Sequence, residues 1–297
     1  TLIHLLYSEV FNHPLSEKEL SAKVYSPSNL SKELSELHEC GLINHSEGFY
    51  YINDDDGKVA HRIKGSQLAT KMLPKALKKA QFIHKFPYVE GVGISGSLSK
   101  NVLHNDADFD FFIITKPNRL WIARTLLILY KKVFLLNSRK YFCVNYFIDS
   151  NSLEIEEKNL FTAVEINTMI LAEGQIMKEF EAKNAWTDSI VHPKEKEIIG
   201  SSNSSKPLIS VFIQSVLSGN LGEWVDTKCL KITLKKWKKK FSEFDETTFD
   251  LTMKSRRYVS KHHPRDFQSN VLNKYEEIKL AYKSKFEQEL KRQTIEL

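Results

Sequence analysis

The stretch GISGSLSKNVLHNDADFDFFIIT, residues 93 to 115, constrains the fold of this chain more than any other. Val92 to Ile94 is an apolar run that leads into Gly96-Ser97, and Phe109 to Ile114 is a second one that follows closely. Short apolar runs bounded by glycine and polar residues read as buried strands. Three aspartates at alternate positions, Asp106, Asp108 and Asp110, mark the entrance to the second strand. Alternate residues of a strand share a face, so Asp108 and Asp110 are expected to point the same way, about 7 Å apart. Their neighbours Phe109, Phe111 and Phe112 require burial. Two like charges on a half-buried face repel, and desolvation adds to the cost. Either these aspartates lie at a solvated strand end or a divalent cation compensates them. Hard Mg²⁺ suits the second case, because it takes carboxylate oxygens and keeps positions open for phosphate.

The same grammar continues on both sides. Residues 118 to 136 form a strongly apolar helical segment, and YFCVNYFID (141 to 149) reads as another strand. Strands separated by helices predict a small α/β unit. Its leading helix is SQLATKMLPKALKKAQFIHKFP (66 to 87), with Leu68, Met72, Ala76, Ala80 and Ile83 on one face and a kink expected at Pro74. Upstream, Leu2, Leu5, Leu6, Val10 and Phe11 give a first apolar helix, closed by His13-Pro14. Ser16 and Glu19 have capping-box spacing and open a second helix. Leu30, Leu34 and Leu37 line a third, which ends at Gly41. LINHSEGFYYIND then reads as a hairpin around Ser46-Glu47-Gly48. Three helices and a hairpin predict a winged helix-turn-helix over residues 1–65, with Asn29 to His38 in the recognition position. That helix carries Lys32 but also Glu33, Glu36 and Glu39, a mixed face that suits phosphate contact poorly and leaves docking or dimerisation as the other role of such a module. The expected division is therefore a winged helix over 1–65, an α/β core with its leading helix over 66–155, and a helical region over 156–297. In fold class the chain is α/β (α+β), with a small mixed sheet at its centre.

Within the core, Gly96-Ser97 follows a strand and opens an expected helix from Leu98 to Leu103, with Lys100 on its first turn. Such a turn offers backbone N–H groups, a hydroxyl and a point charge to a phosphate. GISGSLSKNVLHNDADFDFF resembles the motif of the nucleotidyltransferase superfamily typified by DNA polymerase β: a Gly-Ser turn, about ten residues, then Asp-hydrophobic-Asp on the next strand. Minimal bacterial members often carry a basic residue where Lys100 stands. The resemblance spans roughly residues 88 to 150. It implies that Asp108 and Asp110 are catalytic and hold Mg²⁺ or Mn²⁺, and that Gly96, Ser97 and Lys100 bind the phosphates of a nucleoside triphosphate. The implied reaction moves a nucleoside monophosphate to a protein, RNA or small-molecule acceptor and releases pyrophosphate. The family usually adds a third carboxylate from a later strand. Here the position flanked in that way is Asn145; Asp149 shares its face but lies about 13 Å further along, and Asp106 is a substitute. A different class of function stays open on that ground: a non-catalytic nucleotide-sensing regulator whose winged helix binds nucleic acid or a partner protein.

Elsewhere, KCLKITLKKWKKKF (228 to 241) has seven lysines, with Leu230, Leu234, Trp237 and Phe241 on a helical stripe. It reads as a helix packed on the core with a solvated basic face, and it is the place to look for contacts to nucleic acid or another anionic surface. SRRYVSKHHP (255 to 264) reads as a helix end before Pro264; Arg257 and Lys261 are its candidate phosphate contacts, and its adjacent histidines are poorly spaced for a metal. Trp186 and Trp224 are expected in the core. The net charge of +6 permits polyanionic partners without demanding them. Three scattered cysteines, Cys40, Cys143 and Cys229, argue against a disulfide framework and a zinc site. No signal-peptide pattern or span-length apolar run is present, so a cytoplasmic protein without a membrane partner is expected.

Overall fold

The computed structural model describes residues 1–297 apart from 25–26, 54–56, 105–107, 137–140, 194–195 and 201–204. Asp106 lies outside the described residues. The chain begins with α1 (Leu2–Glu9), β1 (Leu15–Ser16), α2 (Glu17–Ser21), α3 (Leu30–Glu39), β2 (Asn44–Ser46) and β3 (Phe49–Tyr51). Ser16 caps α2 as its spacing predicts: its hydroxyl accepts the Glu19 N–H at 3.3 Å, and the Glu19 carboxylate accepts the Ser16 N–H at 2.9 Å. Gly41 turns the chain out of α3 with a φ of +69°. Its N–H donates to the His38 carbonyl, and Leu42 N–H donates to Leu37. The hairpin gains a strand that the sequence hides. β1 is only two residues long, yet it pairs with β3 to give the antiparallel order β1-β3-β2.

α4 (Lys58–His84) starts eight residues before the expected position and passes without interruption through Pro74. Gly65 does not end anything. A side chain there would meet Val102 Cγ2 at 2.7 Å, so Gly65 serves close packing of the helix on the core. Residues 58–84 therefore bridge the two expected units instead of opening one of them. Arg62 fastens the bridge: its guanidinium donates to the carbonyls of Pro14 and Asn101, both at 3.1 Å, and pairs with Glu19.

The core follows as β4 (Val89–Ser95), α5 (Gly96–Ser99), β5 (Asp110–Thr115), α6 (Leu120–Phe134) and β6 (Cys143–Asp149). The remaining elements are α7 (Leu160–Thr168), β7 (Ile170–Glu173), α8 (Ile176–Lys183), α9 (Leu208–Val216), α10 (Gly219–Lys240), α11 (Glu246–Thr252), β8 (Val259–Lys261), α12 (Phe267–Lys285) and α13 (Glu287–Arg292). The main sheet runs β7-β4-β5-β6-β8. Only β5 and β6 are parallel, joined across α6; the other pairs are antiparallel. Both edge strands come from beyond residue 155, so the region expected to be purely helical completes the sheet. β7 interrupts an apolar run that reads as helix, because Ile170 and Leu171 find ladder partners in Ile94 and Gly93. Within residues 255 to 264 the structure likewise has a short strand, Val259–Lys261, and a bridge from Ser255 to Ser260, not a helix end.

The pleat sorts the sheet into two faces. Phe109, Phe111, Ile113, Val144 and Phe147 bury against α4, α6 and α10. Phe112, Ile114 and Ile148 bury on the opposite side with Met177 and Phe180 of α8. A third core joins α1, α2 and α3 to Val271, Tyr275 and Tyr282 of α12, so the first and last parts of the chain pack together. Trp237 is buried as expected, but Trp224 is 60 % exposed, which corrects its assignment to the core; Trp186 is half-buried. The three cysteines are free. Among the described residues no helix is long and apolar enough to cross a membrane.

Asp226 is an expensive element of this packing. On α10 and 0 % exposed, it accepts the Ile122 N–H at 2.9 Å through Oδ1, satisfying a donor at the start of α6. Its Oδ2 is buried without a hydrogen-bond partner among the described residues. Burial pushes the carboxyl up to about 6, from an ordinary 3.8. The folded chain therefore binds more protons than the unfolded one between these values, and stability falls as pH rises through that window. Between about pH 4 and pH 7, urea unfolding should show Asp226→Asn gaining about 2 kcal/mol relative to the native chain. A gap independent of pH would contradict this.

Candidate active site

β4 delivers Ser95, and the register sets Ser95 opposite Asp110 on β5 and Asp110 opposite Cys143 on β6. Three adjacent strands thus present Ser95, Asp110 and Cys143 along one edge of one sheet face. The chain then turns at Gly96 with a φ of +68°, and α5 occupies only Gly96–Ser99, shorter than the expected helix. Ser99 Oγ donates to the Gly96 carbonyl at 2.8 Å, and the N–H groups of Lys100 and Val102 donate to Ser97 at 3.1 and 3.2 Å. Gly96 lies directly against the acid: a Cβ there would stand 2.5 Å from Asp110 Oδ2. The glycine is required twice, for its backbone angle and for its bareness.

β5 begins at Asp110, so Asp108 lies two residues before the strand and not within it. Phe109 between them is fully buried and stacks near Tyr141 at a ring separation of 5.0 Å. Its carbonyl accepts the Cys143 N–H at 2.9 Å. Both aspartates are half-buried. Burial, with Asp108 and Glu165 nearby, pushes the Asp110 carboxyl up to about 6, against the pull of the Cys143 thiol and Lys100.

Asn145 does not take the place opposite Asp110. β6 bulges there, since Phe111 pairs with Val144 and Phe112 with Tyr146, leaving Asn145 as the extra residue. Cys143 is the residue opposite Asp110. Asn145 Nδ2 donates to Cys143 Sγ at 2.8 Å, and the thiol donates to Asp110. Burial, with the two aspartates, pushes this thiol up to about 12, which disfavours the reactive thiolate. Asp149 is at the far end of β6, paired with Thr115.

Glu165 of α7 is the acid that the sequence reading missed. Lys100 Nζ donates to Glu165 Oε1 at 2.7 Å and to the Gly96 carbonyl at 3.1 Å, tying α7 to the turn. The available signal was a lone acid between Val164 and Ile166 on a helix with a buried face. Glu165 also influences Tyr7 of α1 and His263 after β8. His263 stands edge-on to Tyr146 at 6.4 Å, and burial pushes it down to about 4, so it is neutral. Burial, with the charges of Arg62 and Lys100 contributing, pushes His13 down to about 3.

The structure separates the two basic candidates. Lys261 lies on the Asp110 face of the sheet, opposite Tyr146, but its ammonium contacts Gln268 at 3.2 Å and Glu157 at 3.8 Å. Arg257 approaches Glu223 of α10 at 3.9 Å, and α10 packs on the other face; Arg257 is not part of this site. Among the described residues no three His, Cys, Asp or Glu side chains group to hold a metal ion. The donor chemistry of a pair still fits a hard divalent cation: Asp108 and Asp110 carry carboxylate oxygens, and a cation there would favour the ionised Asp110 that burial, and then the neighbouring acids, disfavour. No family model, curated protein or solved structure matches this chain.

Proposed function

We propose that the chain is a Mg²⁺- or Mn²⁺-dependent nucleotidyltransferase with an N-terminal winged helix, acting on a nucleoside triphosphate and a protein, RNA or small-molecule acceptor. The observation that carries this reading is the seating of the Gly96-Ser97 turn against Asp110, with Asp108 beside it. A glycine turn next to two carboxylates suits phosphoryl chemistry, in which the protein mainly positions groups and balances charge. Asp108 and Asp110 would hold the metal ion, and bound there it supplies Lewis acidity and charge neutralisation. Gly96 keeps the turn close to Asp110, and Ser97 presents its hydroxyl and N–H to the phosphates. Lys100 braces the turn and, exchanged from Glu165, offers them a positive charge. The Asn145–Cys143 relay fixes the Asp110 carboxyl in direction. In the transfer the acceptor oxygen bonds to the α-phosphorus, the bond to the β-phosphate oxygen breaks, and pyrophosphate departs with that electron pair.

One observation favours a second reading. The later strand, from which the resembled family usually takes a third carboxylate, offers Cys143 opposite Asp110 and Asn145 at the bulge, and no acid at either position. In that case the chain senses a nucleotide without turnover, and its winged helix binds nucleic acid or a partner protein. The exposed Lys32–Glu36 pair of α3, 3.7 Å apart, suits a protein partner better than a phosphate backbone. Calorimetric titration with nucleoside triphosphates, with and without Mg²⁺, tests the site common to both readings. Metal-dependent binding is expected, and its absence for all four triphosphates contradicts them.

A further inference from the structure

α9 is turned inside out. Ser210 is its buried residue at 1 % exposure, while Leu208 and Phe212 are 88 % and 68 % exposed, and Ile209, Val211 and Val216 are exposed with them. The helix carries no charge. Its orientation is anchored from both ends. Lys206 Nζ, just before it, donates to the carbonyls of Phe86 at 3.0 Å and Val89 at 2.6 Å. Just after it, the Leu217 carbonyl accepts the Tyr88 hydroxyl at 3.0 Å.

Leu217 and Ser218 alone join α9 to α10, whose first turns also expose Leu221 and Trp224. At helical spacing the exposed face of α10 then continues through Lys228, Lys231, Ile232, Lys235 and Lys239. Lys228 Nζ lies 5.4 Å from the Trp224 ring centre. The acids of α10 fall off this face: Asp226 is buried, and Glu223 turns toward Arg257.

We propose that α9 and the exposed stripe of α10 form a docking surface for an anionic phospholipid bilayer. An uncharged helix with outward aliphatic and aromatic side chains, followed by an aromatic and a row of lysines, has the composition that partitions into the headgroup boundary of such a bilayer. A second copy of the chain would set the lysine rows against each other. A nucleic acid would leave the aliphatic face of α9 in water. This departs from the expectation of no membrane partner: the lysine face is legible in the sequence, but the outward turn of α9 is not. The surface is independent of the transferase reading.

Co-sedimentation with vesicles tests it, using phosphatidylcholine alone and phosphatidylcholine mixed with phosphatidylglycerol. The native chain is expected to sediment with the anionic vesicles, and Trp224 fluorescence should shift to the blue. Leu208→Ser/Phe212→Ser and, separately, Lys228→Glu/Lys235→Glu should each weaken binding by on the order of tenfold or more, with circular dichroism unchanged because all four positions are exposed. No sedimentation, or equal binding to neutral vesicles, overturns the proposal. So does a concentration-dependent dimer abolished by Phe212→Ser without vesicle binding, or RNA binding lost on lysine reversal without vesicle binding.

Discussion

Asp110→Asn lowers Mg²⁺-dependent pyrophosphate release by on the order of a hundredfold or more, the loss typical when a principal electrostatic group is removed from a polar transition state. The substitution is nearly isosteric and removes half of the paired carboxylate set. It also removes a buried charge that the fold disfavours, since burial with Asp108 and Glu165 raises that carboxyl to about 6. The variant should therefore melt no lower than the native chain at neutral pH. This combination of lost turnover and kept stability separates a functional acid from a structural one. Turnover within a few-fold of native would remove Asp110 from the reaction. Asp108→Asn should likewise lower turnover, because Asp108 lies two residues before Asp110 and is also half-buried.

Gly96→Val has the next largest effect, and it acts through shape. The new Cβ would stand 2.5 Å from Asp110 Oδ2, and the φ of +68° is strained for any L side chain, most of all a β-branched one. Either the turn or the carboxylate must move. Turnover is expected to fall by on the order of a hundredfold, since misplacement by about 1 Å costs that much, with about 2 kcal/mol of stability lost to backbone strain. Gly41→Ala provides the matched control. Gly41 has nearly the same φ, +69°, but nothing within 4 Å of a Cβ. It should lose a similar or smaller amount of stability and keep full turnover. Equal loss of turnover in both variants would mean that the effect of Gly96 is strain alone.

How much of this was legible in the sequence depends on how local each cause is. The capping pair Ser16 and Glu19, the terminating Gly41, the hairpin at Gly48 and the three central strands all follow from signals within a few residues of themselves. The Gly-Ser turn and Asp110 are legible for the same reason. What escaped is decided across the sheet. β1 and β8 are too short to show alternation, and β7 is drawn out of a helical pattern by its partners on β4. The bulge that moves Asn145 aside and brings Cys143 opposite Asp110 exists only in the β5–β6 register. Glu165 reaches the site only because Lys100 pulls α7 against the turn. Trp224 was misplaced because an apolar residue on a helix reads as core unless the neighbouring helix, here the inverted α9, is known.

The most direct test of the central claim is calorimetric titration of each of the four nucleoside triphosphates into the native chain with Mg²⁺, beside Asp108→Asn/Asp110→Asn. It needs no knowledge of the acceptor. The account predicts metal-dependent binding of at least one triphosphate by the native chain and its loss in the double variant. Binding that survives in the double variant, or that ignores Mg²⁺, would contradict it.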